Sequence, residues 1–277
     1  MEHDRRPFPH NTVQTAMEPR HMCFDLDSDP PIQPLAGTAV DHEPLTLRAA
    51  DGNSFRAFHA WPLETRGKAI VILPDVRGLH RYYEELAVRF AEIGVEAVAI
   101  DYFGRTAGIG DRGDDFDFGP HVAQTTWAGL SADIERAAKY LKDDAGHGAR
   151  SLFTTGFCMG GRNAFLSATL GLGLSGVIGF YGWPGGPSRN DTPAPTDVVG
   201  KFECPVLGIF GGADQGIPIA SVQQFRDALA AVPIEHEIVV EPDAPHSFFD
   251  RKQAEFQKQS DDAWARVQLF IEAHGAN

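Results

Sequence analysis

Short apolar runs alternate with longer helical patterns along most of the chain, and this alternation restricts the fold more than any other feature. The runs at 68–74 and 95–101 are rich in β-branched residues, which is typical of strands buried on both faces of a sheet. Between them, Leu86, Phe90 and Ile93 lie at helical spacing. The alternation predicts an α/β fold with a mostly parallel sheet and helices on both faces.

The same alternation continues to the C-terminus. Asp51-Gly52-Asn53 lies between two strand-like runs and predicts a hairpin before the alternating part begins. In such a sheet, ligands bind at the carboxyl ends of the strands. Further strands are predicted at "SLFTTG", "GVIGFYG", "PVLGIFGG" and "EHEIVVE", a Gly- and Asp-rich loop at 104–119, and helices at about 121–142, 158–170, 218–231 and 253–273.

A chain of 277 residues with 43% hydrophobic content can bury a full core in one domain. Residues 1–40 are rich in Pro, His, Asp and Thr and lack a sustained apolar period, so we expect an extended or disordered N-terminal tail. Residues 41–277 are then a single α/β domain.

The acidic composition excludes several classes of partner. A formal charge of -14 opposes binding to phosphate backbones and anionic membranes, so we expect no nucleic-acid or membrane partner. No apolar run approaches the roughly 18 residues of a membrane span, and no secretory signal pattern is present, which predicts a cytoplasmic protein. The three cysteines form no paired framework, and the acidic loop at 111–119 lacks ligand spacing, so we expect neither metal nor cofactor.

The stretch Gly156-Phe157-Cys158-Met159-Gly160 follows a predicted strand and begins a predicted helix. It has the G-x-nucleophile-x-G pattern, in which glycines allow a sharp turn and the helix N-terminus favours a thiolate. The Met159 N–H is then placed to stabilise an oxyanion. Because an isolated cysteine is more often a buried apolar side chain, the interpretation depends on partner residues.

Two partner residues follow in the expected order. Asp214 in "GIFGGADQGIP" and His246 in "VVEPDAPHSFF" each come just after a predicted strand. Asp214 could instead cap a helix or turn, and His246 could be an exposed loop histidine. The order nucleophile, acid, histidine and the common sheet edge predict a Cys158-His246-Asp214 triad.

Several motifs resemble the dienelactone hydrolase family, or carboxymethylenebutenolidases, of the α/β-hydrolase fold. They are "GFCMGGRNAF", "FGGADQGIP", "APHSFF", "VAIDYFGR" and "FYGWPGG", and the resemblance extends over about 45–270. It implies that a cysteine thiolate attacks a lactone or activated ester and forms a thioester, which water then hydrolyses. No cofactor is implied.

The resemblance also assigns roles to residues around the triad. Asp75 stands where the family has a glutamate that takes part in forming the thiolate, although an ion pair with Arg77 is an alternative role. The Val76 N–H matches the second oxyanion donor. Arg105 matches the first of two arginines that bind a substrate carboxylate, and Trp183 either walls the pocket or packs in the core.

The second carboxylate-binding arginine of the family corresponds to Asp250 in this chain, with Arg251 adjacent. The leading hypothesis is a hydrolase of a lactone or small activated ester. A broader carboxylesterase or thioesterase is preferred if Asp250 has removed carboxylate recognition. A non-catalytic ligand-binding protein and a thiol redox sensor are further alternatives, and the oligomeric state stays open.

Overall fold

Eight strands form one sheet in the computed structural model, which describes residues 24–25, 27–64, 67–113 and 115–276. Their spatial order is β1-β2-β4-β3-β5-β6-β7-β8. Strands β3 to β8 are parallel, whereas β1 and β2 form an antiparallel hairpin, and β2 pairs antiparallel with β4. The strands are β1 (Val40–Arg48), β2 (Ser54–Pro62), β3 (Lys68–Leu73), β4 (Glu96–Ile100), β5 (Ser151–Phe157), β6 (Gly176–Phe180), β7 (Val206–Gly211) and β8 (His236–Glu241). The predicted mostly parallel sheet and the predicted hairpin are confirmed.

The helices lie in the connections between strands, except for the last helix, which follows the last strand. They are α1 (Arg81–Glu92), α2 (Gly104–Ala107), α3 (Phe118–Gln124), α4 (Trp127–Lys139), α5 (Met159–Ser167), α6 (Pro195–Val198), α7 (Ile219–Ala230) and α8 (Gln257–His274). Among the described residues, no helix combines the length and the apolarity that crossing a membrane requires.

The prediction of one helix over about 121–142 is wrong, because α3 and α4 are separate helices. Thr126 between them is extended, and its hydroxyl accepts a hydrogen bond from the Gly129 N–H at 3.1 Å, which caps α4. After α4 the chain widens into a π-helical turn at Tyr140–Asp144. Apolar spacing continues across the break, so periodicity alone cannot reveal it.

Alternate residues of the central strands enter two apolar clusters. In β3, Ile70 and Ile72 pack in the same cluster as Phe90 of α1, whereas Val71 packs in the cluster that contains Ile134 of α4. All of these side chains are at most 1% exposed. Burial on both faces explains why the strand reads as an unbroken apolar run.

The described residues 24–25 and 27–39 contain no helix and precede the first strand at Val40, and they pack against the body of the protein. Phe24 is 3% exposed, and its ring stacks on Tyr82 with centroids 4.0 Å apart. The carbonyl oxygen of Asp29 accepts a hydrogen bond from the Arg251 N–H at 3.0 Å. Residues 1–23, where most of the predicted tail falls, lie outside the described residues.

We expect Phe24→Ala to lower the free energy of unfolding by about 3 kcal/mol, because the change leaves a cavity against Tyr82. Leu35→Ala is the matched control in the same segment: Leu35 is 49% exposed, so its change should stay within about 0.5 kcal/mol. Urea unfolding measures both. Equal effects of the two substitutions would contradict the packing of this segment.

Candidate active site

The turn between β5 and α5 holds Cys158 in a strained backbone conformation. Its φ is 55° and its ψ is -114°, values that non-glycine residues rarely adopt and that cost about 1–3 kcal/mol. The Cys158 N–H donates to the carbonyl oxygen of Phe180 on the adjacent strand at 3.1 Å. The turn therefore presents the partly exposed thiol at the carboxyl edge of the sheet, at the N-terminus of α5.

Three glycines around the turn permit direct backbone contact. A Cβ on Gly156 would lie 2.0 Å from the carbonyl oxygen of Gly160, and a Cβ on Gly160 would lie 2.0 Å from that of Leu73. A Cβ on Gly161 would lie 2.5 Å from the carbonyl oxygen of Phe180. No side chain fits at these distances, so α5 can approach the strand ends only with glycine at these positions.

His246 and Asp214 form a buried hydrogen-bonded pair on the loops after β8 and β7. The distance from His246 Nδ1 to Asp214 Oδ2 is 2.7 Å, and the two side chains are 8% and 1% exposed. The other carboxylate oxygen accepts hydrogen bonds from the N–H groups of Gly216 at 2.7 Å and Ile217 at 3.1 Å. These bonds fix the carboxylate, which in turn fixes the orientation of the imidazole.

The charge state of His246 reflects its neighbours. Burial alone lowers the pKa of His246, but the negative charge of the Cys158 sulfur and the bond to Asp214 outweigh that effect and raise the pKa to about 10. The Tyr181 ring lies against the imidazole, with centroids 4.9 Å apart. At neutral pH this raised pKa keeps His246 as an imidazolium beside the Cys158 sulfur.

The two predicted oxyanion donors lie on adjacent segments. Met159 is the first residue of α5, where a helix leaves its N–H groups without intrahelical acceptors. Val76 lies in the loop that follows β3. The carbonyl oxygens of Leu73 and Pro74, where β3 ends and this loop begins, lie against Gly160 near the start of α5.

Asp75 is 1% exposed and forms an ion pair with Arg77. Arg77 Nη2 lies 2.8 Å from Asp75 Oδ2, and the Arg77 N–H donates to Oδ1 at 2.9 Å. Burial raises the pKa of Asp75, but Arg77 and then His80 outweigh it and hold that pKa far below its usual range. The structure thus contains the ion pair with Arg77 that was the alternative role of Asp75 in the sequence. A role for Asp75 in activating the thiol stays a prediction.

Protein carboxylates already bind the Arg105 guanidinium. Its Nη2 lies 2.8 Å from Asp133 Oδ1 and donates to the Gly129 carbonyl oxygen at 3.0 Å, while Nη1 pairs with Asp51. Burial raises the pKa of Asp133 to about 6, against the opposing effects of its Asn53 and Arg105 partners. The predicted binding of a substrate carboxylate by Arg105 would have to compete with these two acids.

The N-terminal segment packs against Asp250, at the position where the family resemblance implies a second carboxylate-binding arginine. Asp250 is 4% exposed and accepts a hydrogen bond from the Ser28 hydroxyl at 2.7 Å. The neighbouring Arg251 donates from Nη2 to the carbonyl oxygen of Ile32 at 2.8 Å. Both residues therefore serve the attachment of this segment.

Trp183 lies on the loop after β6 and is 38% exposed, so it is not a core residue. This loop is held by Arg162 of α5, a residue that was not predicted from the sequence. Its buried guanidinium donates to the carbonyl oxygens of Trp183 at 3.1 Å, Gly186 at 3.0 Å and Thr192 at 3.1 Å. A charged residue within the apolar helical pattern was the available signal, but backbone partners leave no trace in a sequence.

The sheet order, the elbow and the carboxyl-edge loops define an α/β-hydrolase. The model of the dienelactone hydrolase family matches residues 55–275. The chain belongs to this family and is a carboxylic ester hydrolase.

Two relatives support this assignment. A protein of Escherichia coli O157:H7 named "Putative carboxymethylenebutenolidase" is 30% identical over 263 residues, which cover 89% of this chain and 94% of the relative. A solved structure, "Putative Dienelactone Hydrolase" from Klebsiella pneumoniae, has a TM-score of 0.76 and 28% identity, and the match covers 84% of this chain and 99% of that one.

We expect Gly160→Ala to destabilise the protein by more than about 3 kcal/mol, because the new methyl group would meet the backbone at Leu73. The matched control is Gly200→Ala, where a Cβ meets no atom within 4 Å, and its change should stay within about 0.5 kcal/mol. Thermal and urea unfolding measure both. A stable Gly160→Ala protein would contradict the backbone contact.

We expect iodoacetamide to modify Cys158 rapidly even at pH 6, because the pairing with His246 favours the thiolate. Cys204 is 3% exposed and burial raises its pKa to about 12, so it should stay unmodified. In His246→Ala, the pH dependence of Cys158 modification should be that of an ordinary thiol, with a pKa of about 8.5. Peptide-resolved mass spectrometry follows each cysteine separately; an unchanged pH profile in His246→Ala would refute the ion pair.

Proposed function

We propose that this chain hydrolyses small activated esters or lactones, with Cys158 as nucleophile, His246 as acid and base, and Asp214 as the orienting carboxylate. The observation that carries the proposal is a strained cysteine at a helix N-terminus beside a buried histidine whose pKa is raised to about 10. This arrangement supports nucleophilic catalysis over a purely structural cysteine. It also argues against a non-catalytic ligand-binding scaffold.

The reaction proceeds in two halves. The Cys158 sulfur attacks the carbonyl carbon, and the resulting oxyanion accepts hydrogen bonds from the Met159 and Val76 amides. The intermediate collapses to a thioester as the carbon–oxygen bond breaks, and His246 gives its proton to the departing alcohol or enol. Neutral His246 then takes a proton from water, whose oxygen attacks the thioester, and the acid product leaves with the thiolate restored.

Cysteine restricts the substrates that this mechanism can turn over. A thiolate is a good leaving group, so the first intermediate returns to substrate unless the departing oxygen is itself stabilised. Enol lactones and aryl esters meet this condition, and thioesters meet it with a departing sulfur, whereas unactivated amides do not. The proposed substrate class is therefore activated esters in the broad sense.

The charges around the site favour an uncharged substrate over an anionic lactone. Arg105 already binds Asp51 and Asp133, and the position of the second family arginine is the acid Asp250. A substrate carboxylate would have to displace protein carboxylates from Arg105 in a chain of net charge -14. We therefore propose the broader esterase or thioesterase activity, which the sequence analysis held as its alternative.

Asp75 enters the proposal as a charged neighbour of the thiolate. Burial, followed by nearby charges that include those of Cys158 and Asp75, raises the pKa of Tyr181 far above its usual value. Both anions therefore act on the same buried ring. Arg77 is the cationic partner of Asp75 and so reduces the repulsion between the two anions.

The test measures initial rates on neutral p-nitrophenyl acetate and on an anionic dienelactone. The neutral ester should be cleaved faster, and Cys158→Ala should lose at least about 1,000-fold, whereas Cys204→Ala should keep the parent rate. Near-parent rates in Cys158→Ala would refute the nucleophile. A strong preference for the anionic lactone would refute the proposed substrate charge, and ligand binding without turnover in the parent would refute catalysis.

A further inference from the structure

A second cluster of chemically versatile side chains lies at the opposite edge of the sheet from Cys158. Its members are His59 of β2, Glu96 at the start of β4, and His147 in the connection that leads into β5. Cys158 follows the carboxyl end of β5, whereas this cluster lies where β4 and β5 begin. The proposed reaction uses none of these three residues.

Strand pairing brings His59 and Glu96 together. His59 pairs with Val98 across the antiparallel β2–β4 ladder, and Glu96 lies two residues before Val98, so both side chains lie on the same face of the sheet. His147 reaches that face from the chain that follows the π-helical turn at Tyr140–Asp144. Residues far apart in sequence therefore meet because of topology.

The three donor atoms converge on a small volume. His59 Nε2 lies 2.7 Å and His147 Nδ1 lies 2.9 Å from the same Glu96 oxygen, and all three atoms lie within 4.8 Å of one another. The side chains of His59 and Glu96 are 2% and 4% exposed, whereas that of His147 is 26% exposed. The carboxylate is thus buried between two imidazoles, and one side of the cluster stays open to solvent.

The surroundings orient the rings. The Tyr140 hydroxyl lies 3.1 Å from His59 Nδ1, which directs Nε2 toward Glu96. The Trp61 ring covers the rings of His59 and His147, with centroids 4.5 Å and 5.6 Å away. A hydrogen bond to the second ring nitrogen and an apolar cover are typical of metal-binding histidines.

We propose that His59 Nε2, Glu96 Oε1 and His147 Nδ1 bind a divalent transition-metal ion, with Zn²⁺ the best match. Two imidazoles and a carboxylate form a common zinc ligand set, and the open side at His147 leaves room for a water molecule as fourth ligand. Ligand atoms of a tetrahedral zinc site lie about 3.4 Å apart, so the present contacts need to open by less than about 1 Å. The ion would join strands β2 and β4 to the segment that precedes β5.

The test uses tag-free, chelator-treated protein in a Cys158→Ala background, which removes the thiol as a competing zinc ligand. Equilibrium dialysis should find tight Zn²⁺ binding that His147→Ala weakens at least about 100-fold. His42→Ala, in the exposed first strand, is the matched control and should bind zinc like its background. His147 is the first choice because it is partly exposed, whereas His59 and Glu96 are buried in the sheet.

Two further readouts separate a metal site from a buried hydrogen-bonded cluster. Co²⁺ should give tetrahedral visible absorption that His147→Ala abolishes, and Zn²⁺ should raise the melting temperature of the background protein but not that of the His147→Ala variant. Tyr140→Phe should weaken Zn²⁺ about 10-fold. Zinc binding that is unchanged in His147→Ala, or no binding at 100 µM (about the upper limit for a specific site), would overturn the proposal.

Discussion

The backbone contact between α5 and the strand ends is the constraint on which the rest of the site depends. With hydrogen as the only side chain at Gly156 and Gly160, the helix lies directly against the chain at Leu73. That approach sets the turn in which Cys158 has its positive φ. It also places the first amides of α5 beside the loop that carries Val76, so the proposed nucleophile, the proposed oxyanion donors and the helix dipole share one origin.

The sequence predicted those parts of the structure whose causes are local. A strand buried on both faces appears in the sequence as an apolar run, and a nucleophile elbow requires glycines at a fixed spacing. Both features can therefore be recognised from a short stretch of sequence alone. The pairing of His246 with Asp214 was also predictable, because chain order and strand ends place both residues at one sheet edge. The break between α3 and α4 was not, because capping by Thr126 leaves the apolar period intact.

The partners of charged residues were harder to predict, because they depend on segments that meet only after folding. Arg105 binds Asp51 and Asp133 from two different elements, and a family comparison cannot reveal such competition. The cluster of His59, Glu96 and His147 could not be predicted, because its members come from segments far apart in the chain and form no local motif. The pair of Asp75 and Arg77 was foreseen as an alternative because its members are two residues apart.

The attachment of the N-terminal segment makes the surroundings of Asp250 a shared property of two distant parts of the chain. The Ser28 hydroxyl satisfies the buried Asp250 carboxylate, and Arg251 satisfies the carbonyl oxygen of Ile32. Transplanting the acid alone into a relative would remove the hydroxyl donor of a buried carboxylate and leave the Lys252 N–H to donate to it, at a cost of about 1–3 kcal/mol. Transplanting the segment alone would bring Ser28 against the family's arginine. Recombination between relatives therefore has to exchange both parts together.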